Sequence, residues 1–354
     1  MLVLYSPNAD VPEIQKMYRL VQGILRRLIH SEDKSETEIC GQTWIAWPEC
    51  RVTPHHIRRN PAFLLVAMLM VGGCPLDSGV NDEGPRHIYE DDGSVFMGGW
   101  SPDGQHISAT SNRKSGPVAL VISAVTGLSR EIEVPVARAW LSGWSPDGSR
   151  VLVGSDTDGN PEIYVFTLQS GDLRRMTFNG ASEWHPSWSP AGDRVVVDSD
   201  REGQLDLYIL DTSGGRIERL TSGERNEQYG RWAPDESDIV FYRHVGPNEL
   251  DYDIFVIDPQ SRSERRLTNS PGDDSAPDWS PDGRRIAFSS NRTGNYKVYV
   301  MCSDGAGLTQ ITHGQSQERY PYWSPSNDRI AFQMETNGKR LIATVPSPEN
   351  PDCQ

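Results

Sequence analysis

The sequence lacks the short motifs that identify the common hydrolases and metalloenzymes. It contains no Gly-x-Ser-x-Gly nucleophile elbow, no His-Glu-x-x-His motif and no Cys-x-x-Cys pair. Five histidines follow residue 74, and no two have the spacing of metal ligands: His87, His106, His185, His244 and His313. We therefore expect no catalytic residue, no metal and no cofactor. The alternative is a site assembled from residues of several segments that converge only in the fold.

Basic residues are in deficit. The chain has 34 Lys and Arg against 49 Asp and Glu, which makes the formal net charge −15. Residues 1–73 contain 8 basic and 7 acidic residues, so the excess of acid lies in the remainder. A surface of this sign repels phosphate groups, which argues against nucleic acid and anionic lipid as direct partners.

Long apolar runs are also missing, apart from one within residues 58–74. Two Arg precede this run, which is too short for an ordinary membrane helix but fits the apolar region of a signal peptide. It ends in Val71-Gly-Gly-Cys74, which resembles a bacterial lipobox. We expect Cys74 to be the lipidated N-terminus of a periplasmic or cell-surface lipoprotein. The alternatives are a short signal-anchor or a chance apolar stretch.

This segment divides the chain. Residues 52–74 are expected to be the signal peptide, which makes residues 1–51 a doubtful leader and places the true start inside the printed sequence. Residues 75–85 then form a polar tether. Of only five cysteines, Cys302 and Cys353 follow the tether. A disulfide between them and two separate thiols both remain open.

Tryptophan, in contrast, recurs at nearly fixed intervals. Six Trp stand 44, 44, 44, 47 and 44 residues apart: Trp100, Trp144, Trp188, Trp232, Trp279 and Trp323. Each begins a variant of Trp-Ser-Pro-Asp-Gly, a turn in which Pro presets φ and Gly accepts a positive φ. Short strands and turns fill every repeat, and this period is typical of a β-propeller blade. An aromatic repeated in every blade is expected to fill space between blades, not to contact a ligand.

The repeats predict six blades of four antiparallel strands over residues 86–346, followed by a tail at residues 347–354. The last repeat ends before its fourth strand. The segment Arg86–Tyr89 can supply that strand, because its apolar residue precedes the first repeated Trp by twelve residues, as in the other repeats. We predict that it pairs beside the strand near Arg340–Val345 and closes the ring, which leaves no long unpaired sheet edge.

One further position repeats its chemistry. Five residues before the Trp, the last four complete repeats carry an acid: Glu183, Glu227, Asp274 and Glu318. If the strand ending at the Trp is innermost, these acids surround one mouth of the central channel. Neighbouring residues are expected to complete a partner-binding surface there: Arg138, Trp140, Trp184, His185, Tyr229, Arg319 and Tyr320. In the alternative, the acids only cap turns of their own blades.

Several motifs together resemble the TolB-type propeller repeat. They are the Trp-Ser-Pro-Asp-Gly phrase, the Ser-Asn-Arg turn at Ser290–Arg292, the Tyr299-Val300 strand and the Leu267-Thr268 strand. The resemblance covers residues 86–346 and implies an all-β propeller. The TolB family carries an additional α/β domain before its propeller, whereas 26 residues separate Cys74 from Trp100. We therefore expect a relative of TolB and not TolB itself.

A propeller without a catalytic motif suggests a binding module that is not an enzyme. We expect a monomer that recognises an envelope protein, a peptide or a glycan at the channel mouth and touches the membrane only through its lipid anchor. The alternative is a propeller enzyme, a polysaccharide lyase or hydrolase. Propellers of the oligogalacturonate-lyase type are enzymes in their own right with metal-binding His clusters, which this sequence does not show. A purely structural subunit of an envelope complex is the third hypothesis.

Overall fold

The computed structural model describes residues 84–213, 216–248, 251–348 and 353. The chain divides into two compact units, Met1–Asn81 and Asp82–Gln354, and every described residue belongs to the second. The predicted leader, the signal peptide and Cys74 lie outside the described residues. In the part that is described, no helix is long and apolar enough to cross a membrane.

The described chain folds into six antiparallel sheets of four strands each, as the repeat predicted. The first blade consists of β2 (Ser94–Trp100), β3 (His106–Arg113), β4 (Gly116–Ser123) and β5 (Ser129–Ile132). The second consists of β6 (Ala139–Trp144), β7 (Arg150–Ser155), β8 (Glu162–Thr167) and β9 (Leu173–Arg175). The third consists of β10 (Glu183–Trp188), β11 (Arg194–Ser199), β12 (Asp206–Asp211) and β13 (Ile217–Arg219). The fourth blade consists of β14 (Glu227–Trp232), β15 (Ile239–His244), β16 (Tyr252–Ile257) and β17 (Glu264–Arg266). The fifth consists of β18 (Asp274–Trp279), β19 (Arg285–Ser290), β20 (Lys297–Cys302) and β21 (Thr309–Gln310). The sixth consists of β22 (Gln317–Trp323), β23 (Arg329–Thr336) and β24 (Lys339–Pro346), together with β1 (Arg86–Tyr89) from the start of the propeller.

The second strand of each blade is buried on both faces. In β11 the consecutive residues Val195, Val196 and Val197 are all fully buried. A strand that faces neighbouring blades on both sides loses the usual alternation of apolar and polar residues, and β-branched side chains suit this environment. The apolar core therefore lies between the blades.

The ring is closed by the first strand, and this confirms the prediction for Arg86–Tyr89. Strand β1 pairs antiparallel with β24, in the order β1-β24-β23-β22. Arg86 faces Thr344 and His87 faces Ala343 in this pairing. The segment before the first blade thus completes the last blade, and the long strand β24 is paired on both sides.

The repeated Trp fill the spaces between blades. Trp188, Trp232, Trp279 and Trp323 are only 5–7% exposed. At three interfaces an Arg six residues after one Trp places its guanidinium over the Trp ring of the next blade: Arg150 over Trp188 at 4.8 Å, Arg194 over Trp232 at 4.4 Å and Arg285 over Trp323 at 4.6 Å. The repeat therefore encodes the contact between blades.

The tail is covalently tied to the fifth blade. Cys302, the last residue of β20, forms a disulfide with Cys353. The sequence left open either a disulfide or two separate thiols, and the structure contains the disulfide. A disulfide of this kind is typical of proteins that fold in an oxidising compartment.

Candidate functional site

The four repeated acids lie behind the channel mouth and not on its surface. They share complete burial: Glu183, Glu227, Asp274 and Glu318. Each forms an ion pair with the propeller itself, in the same order with Arg201 at 3.0 Å, Arg243 at 2.5 Å, Arg292 at 2.8 Å and Lys297 at 2.5 Å. The expected exposed acidic rim is therefore corrected, because carboxylates held this way inside the fold do not face solvent.

The preceding blade places a charged residue near two of these acids. Glu162, which stands eighteen residues after Trp144, lies close enough to Glu183 to disfavour its ionised form. Burial raises the pKa of Glu183, and the charge of Glu162 raises it further, while hydrogen bonds from Asn179 and Ser199 lower it. At the equivalent position in the fifth blade stands Lys297, which pairs directly with Glu318 of the sixth. Lys297 therefore joins the fifth blade to the sixth, whereas Arg201, Arg243 and Arg292 each pair with the acid of their own blade.

The innermost strands bulge three residues before the Trp. In the last four blades the residue there has a left-handed backbone: His185 (φ 45°), Tyr229 (φ 64°), Ala276 (φ 51°) and Tyr320 (φ 55°). The ladder register shifts at each of these places. A residue other than glycine is strained by about 1–2 kcal/mol in this conformation, and such bulges redirect side chains next to functional sites.

The preceding blade supports the bulges. The backbone N–H of Tyr229 donates to the Asp198 carboxylate at 2.9 Å, and that of Tyr320 donates to the Ser289 hydroxyl at 2.9 Å. Both acceptors lie ten residues after a repeated Trp. A side chain from the neighbouring blade thus satisfies a backbone donor that the ladder leaves free, which holds the strained conformation in place.

Aromatic side chains meet across the channel axis. The hydroxyl groups of Tyr229 in the fourth blade and Tyr322 in the sixth lie 2.6 Å apart. Tyr229 also lies 5.9 Å from Tyr320, measured between ring centroids. The fourth and sixth blades are not neighbours in the ring, so these contacts cross the channel. They form a floor beneath one mouth.

Above this floor lies a cavity of about 510 Å³ on the side of the first three blades. Its wall includes Trp140 and Trp184, whose rings stack with centroids 5.6 Å apart and planes 18° from parallel. His185 continues the wall toward Tyr229, with ring centroids 5.0 Å apart. Cavities of roughly 300–1,000 Å³ with aromatic walls and a few polar groups are typical of ligand sites.

The cavity contains six of the eleven residues predicted at the channel mouth. They are Arg138, Trp140, Trp184, His185, Tyr229 and Tyr320. The four acids are not part of its lining, and neither is Arg319. Arg319 instead pairs with Asp273 at 3.2 Å and lies over the Tyr296 ring at 3.5 Å.

Two charged pairs fix polar groups in the cavity wall. The Nδ1 atom of His185 lies 2.6 Å from the carboxylate of Asp198, which is fully buried. This contact orients the imidazole and leaves its other nitrogen for a ligand. At the rim, Arg138 pairs with Asp156 at 2.8 Å. Each of these contacts fixes the orientation of a polar side chain and so supplies hydrogen-bonding groups at a defined place in the wall.

The sequence-based reasoning missed Arg231 and Tyr322, which also line the cavity. Each directly precedes a repeated Trp, and the only signal was the size of the side chain at that place. The residue directly before the Trp is small in the first three blades, namely Gly99, Gly143 and Ser187. In the last three blades it is larger, namely Arg231, Asp278 and Tyr322. The Tyr322 ring reaches the first blade, since a Cβ added at Gly99 would lie 3.7 Å from it, in ordinary van der Waals contact.

The fold and the cavity together define the class, a six-bladed β-propeller with a ligand-sized cavity at one mouth of its channel. A family model described as the TolB beta propeller domain matches residues 79–250 and 245–350, and the chain belongs to this family. The prediction of a TolB-type propeller is thereby confirmed. No curated protein matches the sequence.

Solved structures share the fold at low sequence identity. TolB from Acinetobacter baumannii superposes with a TM-score of 0.59 at 24% identity, covering 69% of this chain and 61% of that one. A putative TolB from Agrobacterium tumefaciens gives 0.59 at 21% identity, covering 75% and 97%. The tricorn protease gives 0.52 at 15% identity, covering 70% and 26%. Because this fold occurs in proteins with different names, function must be argued from the site.

Proposed function

We propose that this protein is a non-enzymatic binding module of the bacterial envelope, and that the cavity at the channel mouth holds a peptide segment of a partner protein. The observation that carries the proposal is the aromatic wall of Trp140, Trp184 and His185 above the tyrosine floor. Aromatic side chains in a concave site provide large contact areas at a small cost in conformational entropy, and they dominate binding energies at protein interfaces.

The oriented His185 and the strained bulges support the same proposal. A site with fixed rotamers loses little freedom when a ligand binds, so more of the contact energy appears as affinity. The acidic remainder of the surface favours a partner that is not itself strongly acidic outside the bound segment. One molecule of the propeller contains the whole cavity, so a monomer suffices for binding.

An aromatic photo-crosslinking amino acid such as benzoylphenylalanine, which keeps an aromatic ring at position 184 in place of Trp184, tests this proposal in living cells. We expect it to crosslink to one envelope protein, because residue 184 lies in the cavity wall. The matched control is the same amino acid at position 128, where Leu128 is 74% exposed. Leu128 lies in the turn between β4 and β5. The backbone N–H of Ala124 in this turn donates to the carbonyl of Gln105, which belongs to the turn after Trp100. Position 128 is therefore at the end of its blade that faces away from the cavity.

With the crosslinked partner purified, Trp184→Ala is expected to weaken its binding at least tenfold, as for an aromatic anchor at an interface. Leu128→Ala should leave the affinity unchanged. Equal crosslinking from both positions, no product at position 184, or full affinity of Trp184→Ala would each contradict the proposal.

We also propose that the protein is anchored in the envelope through lipidated Cys74. The Arg-flanked apolar run that ends at Cys74 supports this, and so does the disulfide between Cys302 and Cys353, which fits an oxidising compartment. The intact mass of protein extracted from membranes should equal a chain that begins at Cys74 plus its acyl groups. Cys74→Ala should accumulate as an unprocessed precursor, and a mature protein that retains residues 1–51 would contradict the proposal.

A further inference from the structure

Arg231 is a buried cation that forms no ion pair with a described residue. Among the described residues, three basic side chains are buried, namely Arg231, Arg285 and Lys297. Lys297 has a carboxylate at 2.5 Å and Arg285 has one at 4.0 Å. Arg231 is 9% exposed, and no carboxylate of a described residue lies within 4.0 Å of it.

The contacts of Arg231 are with neutral groups. Its guanidinium donates to the Gly230 carbonyl at 3.1 Å and to the Tyr322 hydroxyl at 3.3 Å. It also lies over the Tyr229 ring, 4.1 Å from the centroid. Hydrogen bonds to neutral acceptors and a cation–π contact offset only part of the cost of removing a full charge from water.

Among the described carboxylates, Asp278 acts on Arg231 from beyond ion-pair distance. Asp278 occupies the position in the fifth blade that Arg231 occupies in the fourth, directly before the repeated Trp. Its carboxylate accepts a hydrogen bond from the backbone N–H of Trp323 at 2.8 Å. Burial raises the pKa of Asp278 to about 7, although the charge of Arg231 lowers it. Near neutral pH, Asp278 therefore neutralises Arg231 only in part, and the floor of the cavity keeps positive character.

Arg231 lines the cavity together with the aromatic wall, so a ligand in the cavity reaches it. A guanidinium binds carboxylates through two parallel hydrogen bonds, and such a pair is strong where water is excluded. The apolar wall of Trp140 and Trp184 lies on the side of the first three blades. The cavity thus combines one cation with an aromatic surface.

We propose that Arg231 is the specificity-determining residue of this cavity and binds a carboxylate of the peptide ligand, with an apolar side chain of the same peptide against Trp140 and Trp184. This inference rests on the proposed function and deepens it by naming the chemistry that the ligand must carry. The carboxylate is that of an acidic side chain or of the C-terminus. A peptide fits better than a glycan, because one cation among aromatic rings matches an apolar residue next to a carboxylate.

Two small probes that differ only in charge test the proposal. N-acetyl-phenylalanine carries the aromatic ring and the carboxylate, whereas N-acetyl-phenylalaninamide carries the ring alone. Saturation-transfer NMR detects millimolar affinities for both. We expect the wild-type propeller to bind the acid at least tenfold more tightly than the amide. The sodium salt of glucuronic acid serves as the probe for a glycan, and we expect no signal from it.

Variants assign the preference to Arg231. Arg231→Gln should lose the tenfold preference and still bind the amide, which shows that it is folded. Arg231→Lys keeps the charge and should keep part of the preference. The control is Arg216→Gln, which removes one positive charge from a side chain that is 77% exposed. It should behave as the wild type.

To separate the two sources of the carboxylate, the segment of the purified partner that crosslinks at position 184 is synthesised with a free and with an amidated C-terminus. A loss on amidation identifies the terminal carboxylate, and no loss identifies an acidic side chain.

Several results would overturn the inference. They are equal binding of acid and amide by the wild type, no signal from the acid, a preference that survives in Arg231→Gln, or binding of glucuronate in place of the acid. If crosslinking at position 184 persists in any of these cases, the proposed function stands while the assignment to Arg231 fails. If crosslinking itself is absent, the proposed function has failed.

Discussion

Replacing Lys297 by methionine is expected to lower the free energy of unfolding by about 3–5 kcal/mol. Lys297 is 3% exposed and its partner Glu318 is fully buried, with 2.5 Å between ammonium and carboxylate. The ammonium also donates to the Ser316 carbonyl at 2.6 Å. Methionine fills a similar volume, so the loss comes mainly from leaving the Glu318 charge buried without a counterion. Urea denaturation, with its midpoint and slope compared between variants, measures the change.

Two further variants make this result specific. Lys297→Met combined with Glu318→Gln removes both charges and should recover most of the loss, because no unpaired ion remains. Arg216→Met removes one partner of an exposed pair, Arg216 with Glu218 at 3.0 Å, and should change stability by less than about 1 kcal/mol. A Lys297→Met variant as stable as the wild type would show that Glu318 is not held as an ion in the fold.

Trp232→Ala is expected to destabilise the propeller by about 3–5 kcal/mol, the usual cost of emptying a buried tryptophan site. Trp232 is 6% exposed and packs between the third and fourth blades, against Val196, Leu207 and Ile239. The Arg194 guanidinium lies 4.4 Å above its ring, so the stacked cation would also lose its partner. The midpoint of urea denaturation again measures the effect.

Trp184→Ala is the matched control, because the chemical change is identical and the place differs. Trp184 is half-buried in the cavity wall. Its loss should cost about 1 kcal/mol, since part of its surface already faces water. The two Trp therefore have opposite signatures: Trp232→Ala loses stability, whereas Trp184→Ala loses affinity for the partner. Similar losses of stability in the two variants would contradict the assignment of the repeated Trp to packing between blades.

Family membership explains the scaffold of this protein but not the side chains of its cavity. Membership of the TolB beta propeller domain family follows from matches over residues 79–250 and 245–350 and explains the scaffold. The side chains inside the channel are peculiar to each blade. Six copies of one repeat form the ring, and the cavity lies where the copies differ, beside the large side chains Arg231 and Tyr322 of the fourth and sixth blades.

The sequence alone predicted the blades and the way the ring closes. Strands and turns are specified by neighbours in the chain, and a period of 44 residues repeats that local information six times. The role of Arg86–Tyr89 followed from register, which depends on counting residues. Of the residues that the sequence singled out, Trp184, His185 and Tyr229 line one cavity, because similar offsets from the Trp occupy equivalent places around the axis, and their role in binding stays a prediction.

Only the tertiary structure decided which way side chains face and what they meet. Glu318 is buried because Lys297 of the preceding blade lies opposite, a contact between positions 21 residues apart that no local pattern encodes. The hydrogen bond between Tyr229 and Tyr322 joins residues 93 apart across the axis. Whether a charged residue lies on a rim or inside a floor depends on the side chains that other blades bring to the same point, and these meet only when the ring is closed.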